Sequence, residues 1–154
     1  MSGLPGLSDL SGKWHGKNLL WLSPDEPVRE SEADAEISTT AQGQFTEITY
    51  TWAFEGKAQE GRIILGQTPD SKAVKAVWFD TWHMSDQFMV CEGEVDDEGV
   101  VWVKGSYAAP PGPDWGWQIS IETQKIDVFH LIMHNITPEG EAFLAVDISC
   151  SPGN

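Results

Sequence analysis

Asp80 is flanked at two-residue spacing by Trp78 and Trp82, and in an extended chain residues at that spacing share a face. A carboxylate set between two indoles on an inner wall must pair, accept hydrogen bonds or take up a proton, because an unpaired buried charge is costly. Such a group could orient a ligand or serve as a general acid or base. The plainer alternative puts Asp80 near a rim, hydrogen-bonded to backbone or to a tyrosine. The four histidines are His15, His83, His130 and His134. In a strand His130 and His134 share a face but stand about 13 Å apart, at roughly 3.3 Å per residue, too far to bind one ion together. With no H-E-x-x-H or C-x-x-C present, no metal site is expected.

Other constellations fall short in definable ways. Glu94, Asp96, Glu98 and Gly99 open like a calcium loop, but Gly105 stands where the closing Glu is needed. The run from Gly12 to Asn18 lacks the spacing and the Ser or Thr of a phosphate loop. There is no G-x-S-x-G, and nothing around Cys91 or Cys150 suggests an activated thiol. No cofactor is expected from these residues, and binding is expected ahead of catalysis.

The elements that must position these groups read as strands. Alternation of period two, bounded by Gly, Pro, Asp and Asn, recurs along the chain and helical periodicity is almost absent. Expected strands run over 13–22, 35–41, 45–54, 60–67, 73–82, 87–95, 100–107, 115–122, 127–135 and 141–149, after an N-terminal extension or short helix over 1–11. The segment 25–34 carries five carboxylates against one Arg and reads as a solvated acidic loop. Alternation turns Tyr50, Trp52, Trp78, Asp80, Trp82, Tyr107, Trp115 and Trp117 inward, with Leu144, Val146 and Ile148 on the last strand. The segment from Asp127 to Asn135 admits two facings; hydrophobicity favours Phe129, Leu131 and Met133 inside, and the other would turn His130 and His134 inward. About ten strands with short connections form an all-β, closed antiparallel up-and-down barrel. Closure removes sheet edges, and a barrel of more than about eight strands is expected to keep a partly open interior.

Length and charge bound the function. At 154 residues the chain is one domain, 1–154, and 24 Asp and Glu against nine Lys and Arg leave a net charge of −15. That field disfavours nucleic acid and anionic membrane surfaces. Met1 to Leu10 lacks a basic start followed by an apolar run, and no stretch approaches the roughly 18 apolar residues of a span, so a soluble, cytoplasmic protein is expected, monomeric or homodimeric. Two cysteines are too few for a disulfide framework.

Gly12-Lys13-Trp14 resembles the G-x-W signature of lipocalin-like (calycin) barrels, in which the Trp plugs the closed end. Extended through His15-Gly16-Lys17-Asn18 it also resembles the opening of nitrobindin-type haem barrels, departing at Asn18. Val77 to Trp82, Cys91-Glu92-Gly93-Glu94-Val95-Asp96, Gly105-Ser106-Tyr107 and Pro138-Glu139-Gly140-Glu141 resemble a large bacterial family of uncharacterised lipocalin-like proteins, a domain of unknown function. The resemblance spans about Leu7 to Ser149 and implies the fold without an established activity.

Eight of the sixteen aromatic residues are Trp; such rings can fill a wide barrel or line a pocket. The expected function is binding of a small apolar or aromatic molecule by Tyr50, Trp52, Trp78, Asp80, Trp82, Tyr107, Trp115, Trp117 and Met133. One alternative is an enzyme acting on such a molecule, with Asp80 as acid or base and His83 assisting at the mouth. Others are a haem barrel, which requires His130 or His134 to face inward, and an assembly module joined through exposed aromatics.

Overall fold

The alternating segments form ten strands in a computed structural model that describes residues 3–122 and 127–153. They are β1 (Gly12–Leu20), β2 (Arg29–Thr40), β3 (Phe45–Phe54), β4 (Lys57–Gln67), β5 (Ala73–Asp80), β6 (Met89–Val95), β7 (Val101–Tyr107), β8 (Trp115–Glu122), β9 (Phe129–Ile136) and β10 (Ala142–Pro152). Each pairs antiparallel with its chain neighbour, and β1 pairs with β10 to close the barrel. The β3 pattern shows why: Thr46, Ile48, Tyr50 and Trp52 are buried while Glu47, Thr49 and Thr51 face outward. The single helix among the described residues is α1 (Pro5–Ser8); Met1 and Ser2 of the expected N-terminal segment lie outside the described residues. No described helix is long and apolar enough to cross a membrane.

The two barrel ends differ in chemistry. At one end α1 lies over the start of β1 and the 41–44 and 96–99 turns, with Leu4, Leu7 and Leu10 at 1% exposure or less. Pro5 at the start of α1 fixes its first turn without losing a needed N–H. Leu4 N–H donates to Thr46 Oγ1 at 3.0 Å, and Trp14 Nε1–H donates to the Leu10 carbonyl at 2.8 Å. Trp14 also meets Phe129, ring centroids 6.2 Å apart, and so plugs this end. A Cβ at Gly16 would lie 1.9 Å from the Ser149 carbonyl oxygen; only glycine permits that approach of β1 to β10. The opposite end carries the longer connections 21–28, 81–88 and 108–114, the kind of segment on which binding groups are commonly mounted.

Three sequence expectations are corrected. The acidic segment 25–34 is not wholly a loop: β2 begins at Arg29, with Glu30, Glu32, Asp34 and Glu36 outward and Ala33, Ala35 and Ile37 inward. Outward carboxylates there meet basic side chains, Lys17 to Glu30 at 2.9 Å and His15 to Asp34 at 2.7 Å. Leu144 is 38% exposed, because a bulge between Leu144 and Val146 shifts the register on β9 and turns Ala145 and Val146 in. The strand expected over 73–82 ends at Asp80, where the chain turns. Phe129, Leu131 and Met133 face the core and are fully buried, and His130 and His134 point the other way.

Candidate functional site

Asp80 is the last residue of β5, and its side chain ends the strand. Its Oδ1 accepts the backbone N–H groups of Trp82 at 2.9 Å and His83 at 3.0 Å, and its carbonyl accepts the N–H of Met84 at 2.9 Å. An Asp capping the following turn in this way leaves the sheet ladder and starts a helical turn. His83 is thereby carried back over the end of the barrel. Oδ2 of Asp80 accepts the Tyr50 hydroxyl at 2.8 Å and Trp52 Nε1–H at 3.2 Å, and the Tyr50 oxygen accepts Trp78 Nε1–H at 3.0 Å. Asp80 is 2% exposed, so each of these bonds satisfies a group that water cannot reach.

The Tyr50 contact depends on the residue between the two strands. Tyr50, Gly61 and Asp80 lie in one register row across β3, β4 and β5. A Cβ at Gly61 would sit 2.2 Å from the Tyr50 ring; the ring lies over that bare backbone and reaches the carboxylate two strands away. Burial pushes the Asp80 carboxyl up, but the His83 ring, its backbone N–H and the Tyr50 hydroxyl outweigh it and hold Asp80 below the usual carboxylate range. Burial, and next the Asp80 charge, push Tyr50 well above its ordinary value, so it stays a donor.

His83 is ringed by indoles. Its centroid lies 4.7 Å from Trp82, 5.3 Å from Trp117, 5.6 Å from Trp52 and 5.9 Å from Trp78. Trp78 on β5 and Trp117 on β8 stack at 5.2 Å and 7°. At that level four indoles and an imidazole crowd one side of the barrel end. Trp82 adds Phe54, at 5.0 Å. Nδ1 of His83 is 3.1 Å from Asp80 Oδ1 but off the line of a formed hydrogen bond. Three buried polar side-chain atoms lack a partner among the described residues: Asn18 Oδ1, His83 Nδ1 and Trp117 Nε1. Two of the three belong to this cluster.

The structure joins six of the nine expected site residues by direct contacts: Tyr50, Trp52, Trp78, Asp80, Trp82 and Trp117. Trp82 arrives from the turn after β5 rather than from the wall. Tyr107 and Trp115 pair across β7 and β8 at the same end, half-buried, with the Tyr107 hydroxyl on Asn135 Oδ1 at 2.5 Å. Met133 stands apart, fully buried in the row of Ile119 and Val146. His83 was expected only as a helper; the signal for its central place is an Asp positioned to cap the turn carrying it. A groove of about 910 Å³ lies elsewhere, on the outer wall along Lys13, His15, Thr49, Arg62, Phe79 and Thr81.

Haem, which the resemblance to nitrobindin-type barrels implies, does not fit these residues. His130 lies on the outer face, 2.9 Å from Asp147 and 3.2 Å from Glu122. His134 shares that face, His15 is exposed beside Asp34, and His83 has four indole centroids within 6 Å, which a group as large as haem would have to displace. Among the described residues no group of three or more His, Cys, Asp or Glu is placed to hold a metal ion.

The fold and site define a closed ten-stranded antiparallel barrel with one plugged and one aromatic end. The chain belongs to the family of proteins of unknown function DUF1579, whose model matches residues 6–151. No curated protein matches it. Among solved structures it is similar to one titled "Crystal Structure of Rv2717c from M. tuberculosis", with a TM-score of 0.65 and 15% identity over 99% of each chain. At that identity the likeness concerns the fold alone.

Proposed function

We propose that the aromatic end of the barrel binds a small, flat, mainly apolar molecule. The observation that carries this reading is the ring cluster itself: four indoles within 6 Å of one imidazole, one of them, Trp117, with a buried Nε1–H that meets no acceptor among the described residues. A buried donor left without an acceptor costs about 1–3 kcal/mol, and a ligand oxygen at Trp117 would relieve that cost. Trp82 sits on a turn and not in a strand, so a planar guest can take its place among the rings without breaking the sheet. Titrating the protein with aromatic compounds while following tryptophan emission tests the reading; emission unaltered across a broad panel counts against it.

A second reading, an enzyme acting on the bound molecule, is favoured by the Asp80–His83 pair. The roles then differ from the sequence expectation. Both Asp80 oxygens are occupied by donors, which makes Asp80 a positioning residue and leaves His83 to carry the proton.

A further inference from the structure

We propose that this aromatic site selects molecules bearing a ring hydroxyl, which donates to His83 Nε2 and accepts from Trp117 Nε1–H. The inference deepens the ligand-binding reading above and rests on it.

Three features define the polar demand of the site. Asp80 Oδ1 is 3.1 Å from His83 Nδ1, so the ionised carboxylate favours the tautomer with its proton on Nδ1, and in the neutral ring Nε2 then offers a lone pair. The His83 side chain is 11% exposed; Nε2 makes no hydrogen bond among the described residues and is not among the buried unpartnered atoms, so it is the ring nitrogen open to solvent. Trp117, 6% exposed, carries a buried N–H with no acceptor, on a ring 5.3 Å from the His83 centroid. An indole N–H can only donate.

The site therefore presents one acceptor and one donor within an aromatic enclosure. A hydroxyl has one proton to give and two lone pairs to accept with, and satisfies both. An ether, ketone or halide satisfies Trp117 and leaves Nε2 facing no donor. An ammonium satisfies Nε2 and leaves Trp117 unpaired. A carboxylate supplies acceptors only, and adds charge to a chain already at −15. The indoles supply stacking faces for the ring that bears the hydroxyl.

The test is equilibrium dialysis of the full chain against 2-naphthol and 2-methoxynaphthalene, which differ by a methyl group in place of the hydroxyl proton. The wild-type protein should bind 2-naphthol about tenfold or more tightly, the ratio expected when buried partners are left unpaired. His83→Phe keeps a ring of similar size and should bring the two affinities within about threefold of each other; Trp117→Phe removes a donor from which both oxygens accept and should weaken both compounds while leaving their ratio within about threefold of the wild-type value. Equal binding of both compounds by the wild type overturns the hydroxyl inference and leaves the aromatic-ligand reading standing. Binding of neither overturns both. A preference that survives His83→Phe in a folded variant overturns the role given to His83. The wild-type comparison needs no variant, so loss of folding in either substitution does not shelter the proposal.

Discussion

Tyr50 donates its hydroxyl proton to Asp80 from two strands away, over the bare backbone of Gly61. Gly61→Ala places a methyl group against the Tyr50 ring, and overpacking of this kind costs about 1–3 kcal/mol. Shortening the partner with Tyr50→Leu should remove most of that cost. A double-mutant cycle by urea denaturation should then show a coupling of about 1 kcal/mol or more; strict additivity would mean that the ring does not rest on Gly61.

Asp80 should make stability depend on pH in acid. Its folded carboxyl lies below the ordinary value, so the unfolded chain takes up the proton first as pH falls. The stabilisation is therefore complete above about pH 5, relative to an unfolded value near 3.9, and is lost as pH falls through the folded pKa. Asp80→Asn should cost about 3 kcal/mol near neutrality, since an amide turns donors toward donors. Melts at pH 7 and pH 3 should show the gap between variant and wild type narrowing in acid; a gap that widens contradicts the assignment.

Much of this was legible in the sequence, and the exceptions have physical causes. The wall strands announced themselves wherever large apolar and polar residues alternate, as in β3 and β8. β2 alternates as well, but its inward residues include Ser31, Ala33 and Ala35, and small side chains hide a period that the outward carboxylates make look like a solvated loop. Leu144 departs from the alternation because a bulge inserts one residue without any local signature. Trp82 and His83 were obscured by a competition that strand alternation ignores: the Asp80 side chain captures the next two N–H groups and bends the chain. Tyr50 and Asp80 could each be turned inward from sequence, but their bond spans β4 and follows from the register rather than from spacing.

The plugged end should matter for stability alone. Leu7→Ala empties a fully buried position under α1 and should cost about 2–5 kcal/mol. Binding of 2-naphthol by the folded variant should be unchanged at a temperature well below its melting point. A change in affinity larger than about threefold would show that the two ends are coupled.

Both thiols should be silent in the folded protein. Burial raises Cys91 to about 11; burial and next the Asp34 charge raise Cys150 to about 11, and the thiolate is the reactive form. A thiol-reactive dye at pH 8 should label neither until denaturant is added, when both should react. Labelling of either in the native state would contradict its placement in the core.

The central claim is that the end holding His83 is where a small aromatic molecule binds. It is tested most directly by the indole N–H signals of the 15N-labelled protein during titration with 2-naphthol, since eight tryptophans sample both ends and the outside. The signals of Trp52, Trp82 and Trp117 should shift together with one saturation curve, while Trp14 in the plug and Trp102 on the outer face of β7 hold still. Shifts confined to Trp14 and Trp102, or none at saturating ligand, would contradict the account.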